Sequence, residues 1–219
     1  LPPGPPVPRD RAPPPAQPPT PRYVRNDPRL RGEAVFLRSW QAPSLNAGEA
    51  RHGEPLEVLR HVVGGGAGSR LHRALVETGL AVSAGASYDA DTASWTDFDI
   101  SAVPRREVAP ERVEEAVIAT VKRLLDEGGP TEAEVARATR QMTAGALLAL
   151  DGLGAAPRMI GNALSIGLPI QTVEFWPARL RAVTRDQVAQ AAVAVLGGMP
   201  SASGWLLPEG VGAPAEVRL

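Results

Sequence analysis

The chain contains no cysteine. Disulfide frameworks, cysteine zinc sites and thiol nucleophiles are therefore excluded. Aromatic residues make up only 4 % of the chain, against 43 % hydrophobic residues overall, so Leu, Val and Ala must fill the core. Neither sign of charge is in excess: 23 basic and 24 acidic side chains leave a formal net charge of −1. A protein that neutralises phosphates needs a basic surplus, and this composition argues against nucleic-acid binding. No run approaches the roughly 18 apolar residues of a membrane span. The sequence shows no signal peptide, and a soluble protein is the expectation. Histidine is scarce as well. His52, His61 and His72 are the three present, and no two of them sit four residues apart, the spacing that places two ligands on one helix face. They do not form a zinc set, and the chain by itself is expected to bind no metal.

Proline, in contrast, is concentrated. Residues 1–21 hold eleven prolines, which fix φ and remove backbone donors. Such a stretch favours extended polyproline conformers, and 1–22 is read as a linker ahead of one domain at 23–219. The domain opens with a strand at 33–41, where Ala34, Phe36, Arg38 and Trp40 alternate with Val35, Leu37, Ser39 and Gln41. Both faces of that strand are expected to be covered. Leu56, Leu59, Val62 and Val63 follow at helical spacing and stop at Gly64-Gly65-Gly66. A second short helix begins at Ser69, with Leu71, Ala74 and Leu75 inward.

A period of two then predicts a hairpin. Leu80, Val82, Ala84, Ala86 and Tyr88 form one face of its first strand; Thr96, Phe98, Ile100 and Ala102 form the inward face of the second. Asp97, Asp99 and Ser101 lie on its wet face. Pro110 and Glu111 open a helix carrying Val113, Val117, Val121 and Leu124. Thr131 and Glu134 make a capping box for another through Leu150, and a shorter helix spans 153–167. Thr184 and Gln187 cap one more, and a final strand is expected at 203–207. The order implies an α+β fold, an antiparallel sheet with helices packed on one face.

The run GGGAGSRL at 64–71 invites a phosphate-loop reading, since a helix N-terminus attracts anions. It follows a helix instead of a strand, and it lacks the Lys-Ser/Thr ending of a nucleotide loop. A tight turn that needs positive φ explains it better, and a loop lining a substrate cavity stays open. Asp89, Asp91, Asp97 and Asp99 do not have the spacing of a calcium loop. No serine sits in a nucleophile elbow.

Taken together, several runs resemble the C-terminal half of bacterial insulinase/pitrilysin-family zinc peptidases, which look like the mitochondrial processing peptidase. They are YVRNDPRLRGEAVFLRSWQAPSLNAGE, LEVLRHVVGGGAGSRLHRALVETGLAVSAGASYD, FDISAVP, EGGPTEAEVARATRQM, LDGLGAAPRMIGNALSIGL, VEFWPARLRAVTRDQV and GWLLP. The likeness covers about 23–208 and rests on joint order and spacing. It implies a two-half hydrolase whose halves enclose a chamber. The N-terminal half carries a His-x-x-Glu-His zinc motif; the C-terminal half closes the chamber and contacts peptide. No such motif occurs here. The resemblance therefore implies zinc only in the complete enzyme, bound by an N-terminal half or partner subunit, with Gly64, Gly65, Gly66, Ser69, Arg70 and Arg73 as substrate-chamber candidates. Many relatives also carry an Arg and, seven residues on, a Tyr that steady the substrate carbonyl. Those positions fall on Leu75 and Val82, with Arg73 close by. Two alternatives stand beside this reading: a non-catalytic scaffold subunit of a heteromeric processing peptidase, and a small-ligand binder using the glycine loop.

Overall fold

A computed structural model describes residues 22–30, 33–149, 154–210 and 212. The sheet has five strands: β1 (Arg22–Asp27), β2 (Val35–Ala42), β3 (Ala81–Ser87), β4 (Thr96–Pro104) and β5 (Ser201–Pro208). Their order is β1-β5-β2-β4-β3. β3, β4, β2 and β5 pair antiparallel in turn, as the alternation predicts, but β1 adds parallel to β5 and makes the sheet mixed. No strand was expected at 22–27, because RYVRND offers little apolar alternation. The linker expectation for 1–22 falls outside the described residues except at Arg22, the first residue of β1.

One face of the sheet is the core. Phe36, Trp40, Phe98, Ile100, Trp205 and Leu207 all point inward and are buried. Register explains why they meet: Trp40 pairs with Phe98, and Phe36 with Trp205. The rings of Phe36 and Trp205 lie 5.1 Å apart, tilted at 47°, a geometry that adds to plain burial. The other face is open. Leu37 is 46 % exposed and Tyr23 63 %, which corrects the expectation that β2 is covered on both sides.

The helices are α1 (Gly53–Gly64), α2 (Pro110–Asp126), α3 (Glu132–Ala149), α4 (Ala155–Ser165), α5 (Ile170–Glu174), α6 (Trp176–Ala182) and α7 (Arg185–Ala192). α1 buries Leu56, Val58, Leu59, Val62 and Val63, an apolar arc wide enough to be packed on two sides. It meets β3 beneath it, and α3, α6 and α7 beside and above it. α2 packs on β2 and β4, whereas α3 stacks on α1, α6 and α7, one layer further out. The short helices α5 and α6 had no periodic signal in the sequence. Pro169 and Pro177 break the run, and only Leu180 of α6 is fully buried.

Charged groups in the core find partners, although Arg38 Nε is buried without a hydrogen bond. Glu114 of α2 is 1 % exposed. Its Oε2 accepts from Trp205 Nε1 at 2.8 Å and from Arg22 Nη2 at 3.0 Å. Arg38, also buried, donates to Ser201 Oγ at 3.1 Å and lies over the Trp40 ring at 4.9 Å. Among the described residues, no helix is long and apolar enough to cross a membrane.

Candidate functional site

The glycine loop joins α1 to a helical segment that begins at Arg70 and continues as the π-helical turn His72–Val76. Gly64 ends α1 against the sheet: a Cβ there would collide with the Ala86 backbone nitrogen of β3. Gly65 is similarly tight, since its Cβ would fall 2.6 Å from the His61 ring. Gly66 and Gly68 are different. They take φ of +91° and +83° with open space around them, so glycine is needed there for conformation, not for room. The loop is thus a narrow, exposed turn seated on the last turn of α1.

The other candidate residues divide into inward and outward groups. Ser69 is 3 % exposed, and its Oγ accepts from the His72 amide at 3.3 Å, so this hydroxyl caps the following turn. Arg70 forms a fork on Glu134, with Nε at 2.9 Å and Nη2 at 2.7 Å, and its Nη1 reaches Glu127 at 2.6 Å. Only 10 % of its side chain is exposed. Arg73 shares the same Glu134 at 3.2 Å but is half exposed, so one side of its guanidinium faces solvent. Arg137 of α3 holds the loop from behind, donating to the Gly68 carbonyl at 3.0 Å.

Glu134 anchors this network. Burial alone would raise its pKa, but the Arg70 hydrogen bonds, the Thr131 amide and the charge of Arg70 outweigh burial and hold it down at about 2. The Thr131–Glu134 capping box expected from sequence is formed: the Thr131 amide donates to Glu134 at 2.9 Å, and the Glu134 amide to Thr131 Oγ1 at 3.2 Å. What the sequence did not disclose is that the same carboxylate receives two arginines from the glycine-loop segment.

The two positions counted for the Arg/Tyr pair are apolar and far apart in exposure. Leu75 is fully buried, while Val82 is 52 % exposed. Val82 lies at a register shift in β3 between Ala81 and Ser83, and a bulge re-aims a side chain in this way. Neither side chain can donate a hydrogen bond to a carbonyl.

The histidines are dispersed in role. His52 is buried and lowered in pKa by that burial; His61 shares a 2.9 Å hydrogen bond with Gln141 on α3; His72 lies 4.0 Å from Glu77. Among the described residues, no group of three or more His, Cys, Asp or Glu side chains is placed to hold a metal. These residues do not fit a catalytic zinc, which needs about three protein ligands around one point.

The features to be matched are a mixed sheet with helices on one face, a glycine loop packed on an edge strand and, among the described residues, no metal set. A family profile described as peptidase M16 inactive domain matches residues 1–142, and the chain belongs to that family. Solved structures share its fold. The peptidase M16 inactive domain from Pseudomonas fluorescens has a TM-score of 0.71 and 20 % identity, over 92 % of this chain and 46 % of that one. The inactive peptidase domain of a proposed zinc protease from Bordetella parapertussis has a TM-score of 0.72 and 18 % identity, over 87 % and 98 %. A protease from Helicobacter pylori has a TM-score of 0.73 and 14 % identity, over 87 % and 44 %. The chain therefore spans nearly all of the Bordetella domain, and about half of the Pseudomonas and Helicobacter chains. No curated protein matches it by sequence.

Proposed function

We propose that this chain is the C-terminal, non-metal-binding half of a zinc-dependent endopeptidase, one that closes the chamber, contacts peptide substrate and is inactive alone. The observation that carries this reading is the match of residues 1–142 to an inactive peptidase domain. The partner is an N-terminal half, joined through a linker that ends before Arg22, or a separate subunit. That half would hold the zinc, whose chemistry would be to polarise a peptide carbonyl and activate water. The open face of the sheet, bearing Tyr23 and Leu37, fits a surface turned toward the partner.

Substrate contact is assigned to the exposed glycine loop and the strand beside it. Among the described residues, β3 has a neighbour, β4, on one side only. Its sequence AVSAGAS carries no charge and no proline, the usual guards of a free edge. An extended peptide can add to such an edge through main-chain hydrogen bonds. Gly64, Gly65 and Gly66 let the loop lie close to that peptide, and Arg73 is the candidate charge beside it. Ser69 and Arg70 then act as braces of the loop.

The scaffold-subunit alternative draws support from Leu75 and Val82, which offer no hydrogen bond to a substrate carbonyl. One experiment separates the two. Combining the chain with a catalytic half should yield zinc-dependent cleavage of short peptides, and shortening the 64–70 loop should slow turnover without reducing bound zinc. A complex that cleaves equally well with the loop shortened supports the scaffold reading.

A further inference from the structure

Behind the glycine loop lies a cleft of about 810 Å³ between the His72–Val76 turn, the second half of α2 and the start of α3. That volume falls within the roughly 300–1,000 Å³ of ligand-binding clefts. Four arginines line it, Arg70, Arg73, Arg123 and Arg137, against two carboxylates, Glu127 and Glu134. The chain as a whole is nearly neutral, so this concentration of positive charge is local.

The carboxylates are already engaged by arginines. Glu134 is fixed by Arg70, Arg73 and the Thr131 amide, and Glu127 is held by Arg70 at the rim. Their effect is to orient guanidinium groups. The cations left to bind a ligand are Arg123, Arg73 and Arg137. Arg123 is exposed and makes no side-chain hydrogen bond or ion pair among the described residues. Arg73 keeps half its surface, and Arg137 spends one N–H on Gly68.

Between the arginines the lining is apolar and small: Ala74, Ala116 and Ala119. Thr78 and Thr120 turn their hydroxyl protons onto the Ala74 and Ala116 carbonyls, which leaves the arginines as the donors of the cleft. Guanidinium forks match carboxylates in two-point contacts. A lone phosphate would occupy a small part of the space. The Glu134 amide at the start of α3, which would help to grip a phosphate, already donates to Thr131.

We infer that this cleft is a binding site for an acidic peptide segment, its carboxylates held by Arg73, Arg123 and Arg137 and its backbone lying along the alanine floor. The inference does not need the chamber reading and is tested on this chain alone. The probe is a short, end-blocked, fluorescently labelled peptide of alternating aspartate and alanine, followed by anisotropy, with the asparagine counterpart and inorganic phosphate as separate arms. The aspartate peptide should bind saturably and on the order of tenfold more tightly than the asparagine peptide. Its affinity should fall as salt rises from about 50 to 300 mM, because exposed charges are screened.

The double variant Arg73→Gln/Arg123→Gln should lose on the order of tenfold in affinity. Arg105→Gln, outside the cleft, should bind as the parent does. If the double variant is unfolded by circular dichroism, Arg123→Gln alone decides, since that exposed side chain supports no packing. Equal binding of the aspartate and asparagine peptides, or unchanged affinity in the folded arginine variant, overturns the proposal. So does full displacement of the peptide by phosphate at equal concentration, which would mark a small-oxyanion site.

Discussion

At the scale of single residues, the fold depends on a few buried charges that are paired. Glu114 is the clearest. Its carboxylate satisfies the Trp205 indole and the Arg22 guanidinium while itself nearly inaccessible. Removing one member of a buried pair leaves the other uncompensated, at a cost of about 3–5 kcal/mol. Glu114→Ala should lower unfolding free energy by that amount in urea titrations, and Glu114→Gln, which still accepts from Trp205, by clearly less. Glu134 gives a prediction in pH. Its pKa is depressed to about 2 in the fold, against an ordinary 4.5. A depressed carboxylate contributes stability above its unfolded pKa and loses it as pH falls through the folded value. Part of the acid lability between about pH 4.5 and 2 should therefore disappear in Glu134→Gln, which should also be less stable at pH 7 by roughly 1.5–3 kcal/mol. Glu57 has the opposite sign. Burial pushes it up to about 7 although Trp176 Nε1 donates to it at 2.8 Å. The fold binds its proton more tightly than the unfolded chain does, so stability falls as pH rises from about 4.5 to 7. Glu57→Gln should flatten that stretch of the stability curve.

At the scale of elements, the contact between α1 and β3 sets the position of the glycine loop. Gly64 has no room for a methyl group over the β3 backbone, whereas Gly66 has space and an unfavourable φ. Gly64→Ala should cost about 1–3 kcal/mol as overpacking and displace the loop. Gly66→Ala should cost about 1 kcal/mol through backbone strain alone. Measured stabilities that rank these two the other way would contradict the packing described. This part of the site was half legible in the sequence. The glycines announced a turn between two helices, and the capping box at Thr131 announced α3. The bond from Arg70 to Glu134 joins residues 64 apart, and nothing local in either segment signals it. Strands were legible wherever alternation ran unbroken, as in β4 and β5. In β3 the bulge moves the phase by one residue: Ala81 is buried and Val82 exposed, although Val82 shares the alternation of Ala84, Ala86 and Tyr88. β1 carries almost no apolar pattern because it is an edge strand held by backbone pairing with β5.

At the scale of the whole molecule, the chain matches an inactive peptidase domain and covers about half the length of two of the larger chains that share its fold. The division of labour proposed here gives metal and water activation to another half. It leaves to this one the closure of the chamber and the handling of peptide. The most direct test is metal analysis and a peptide-cleavage assay on the purified chain, run with and without a catalytic half. The account predicts less than stoichiometric zinc and no cleavage for the chain alone, with chelator-sensitive cleavage of short peptides appearing when the other half is added. Tightly bound zinc with chelator-sensitive cleavage by the isolated chain, free of contaminating protease, would contradict it.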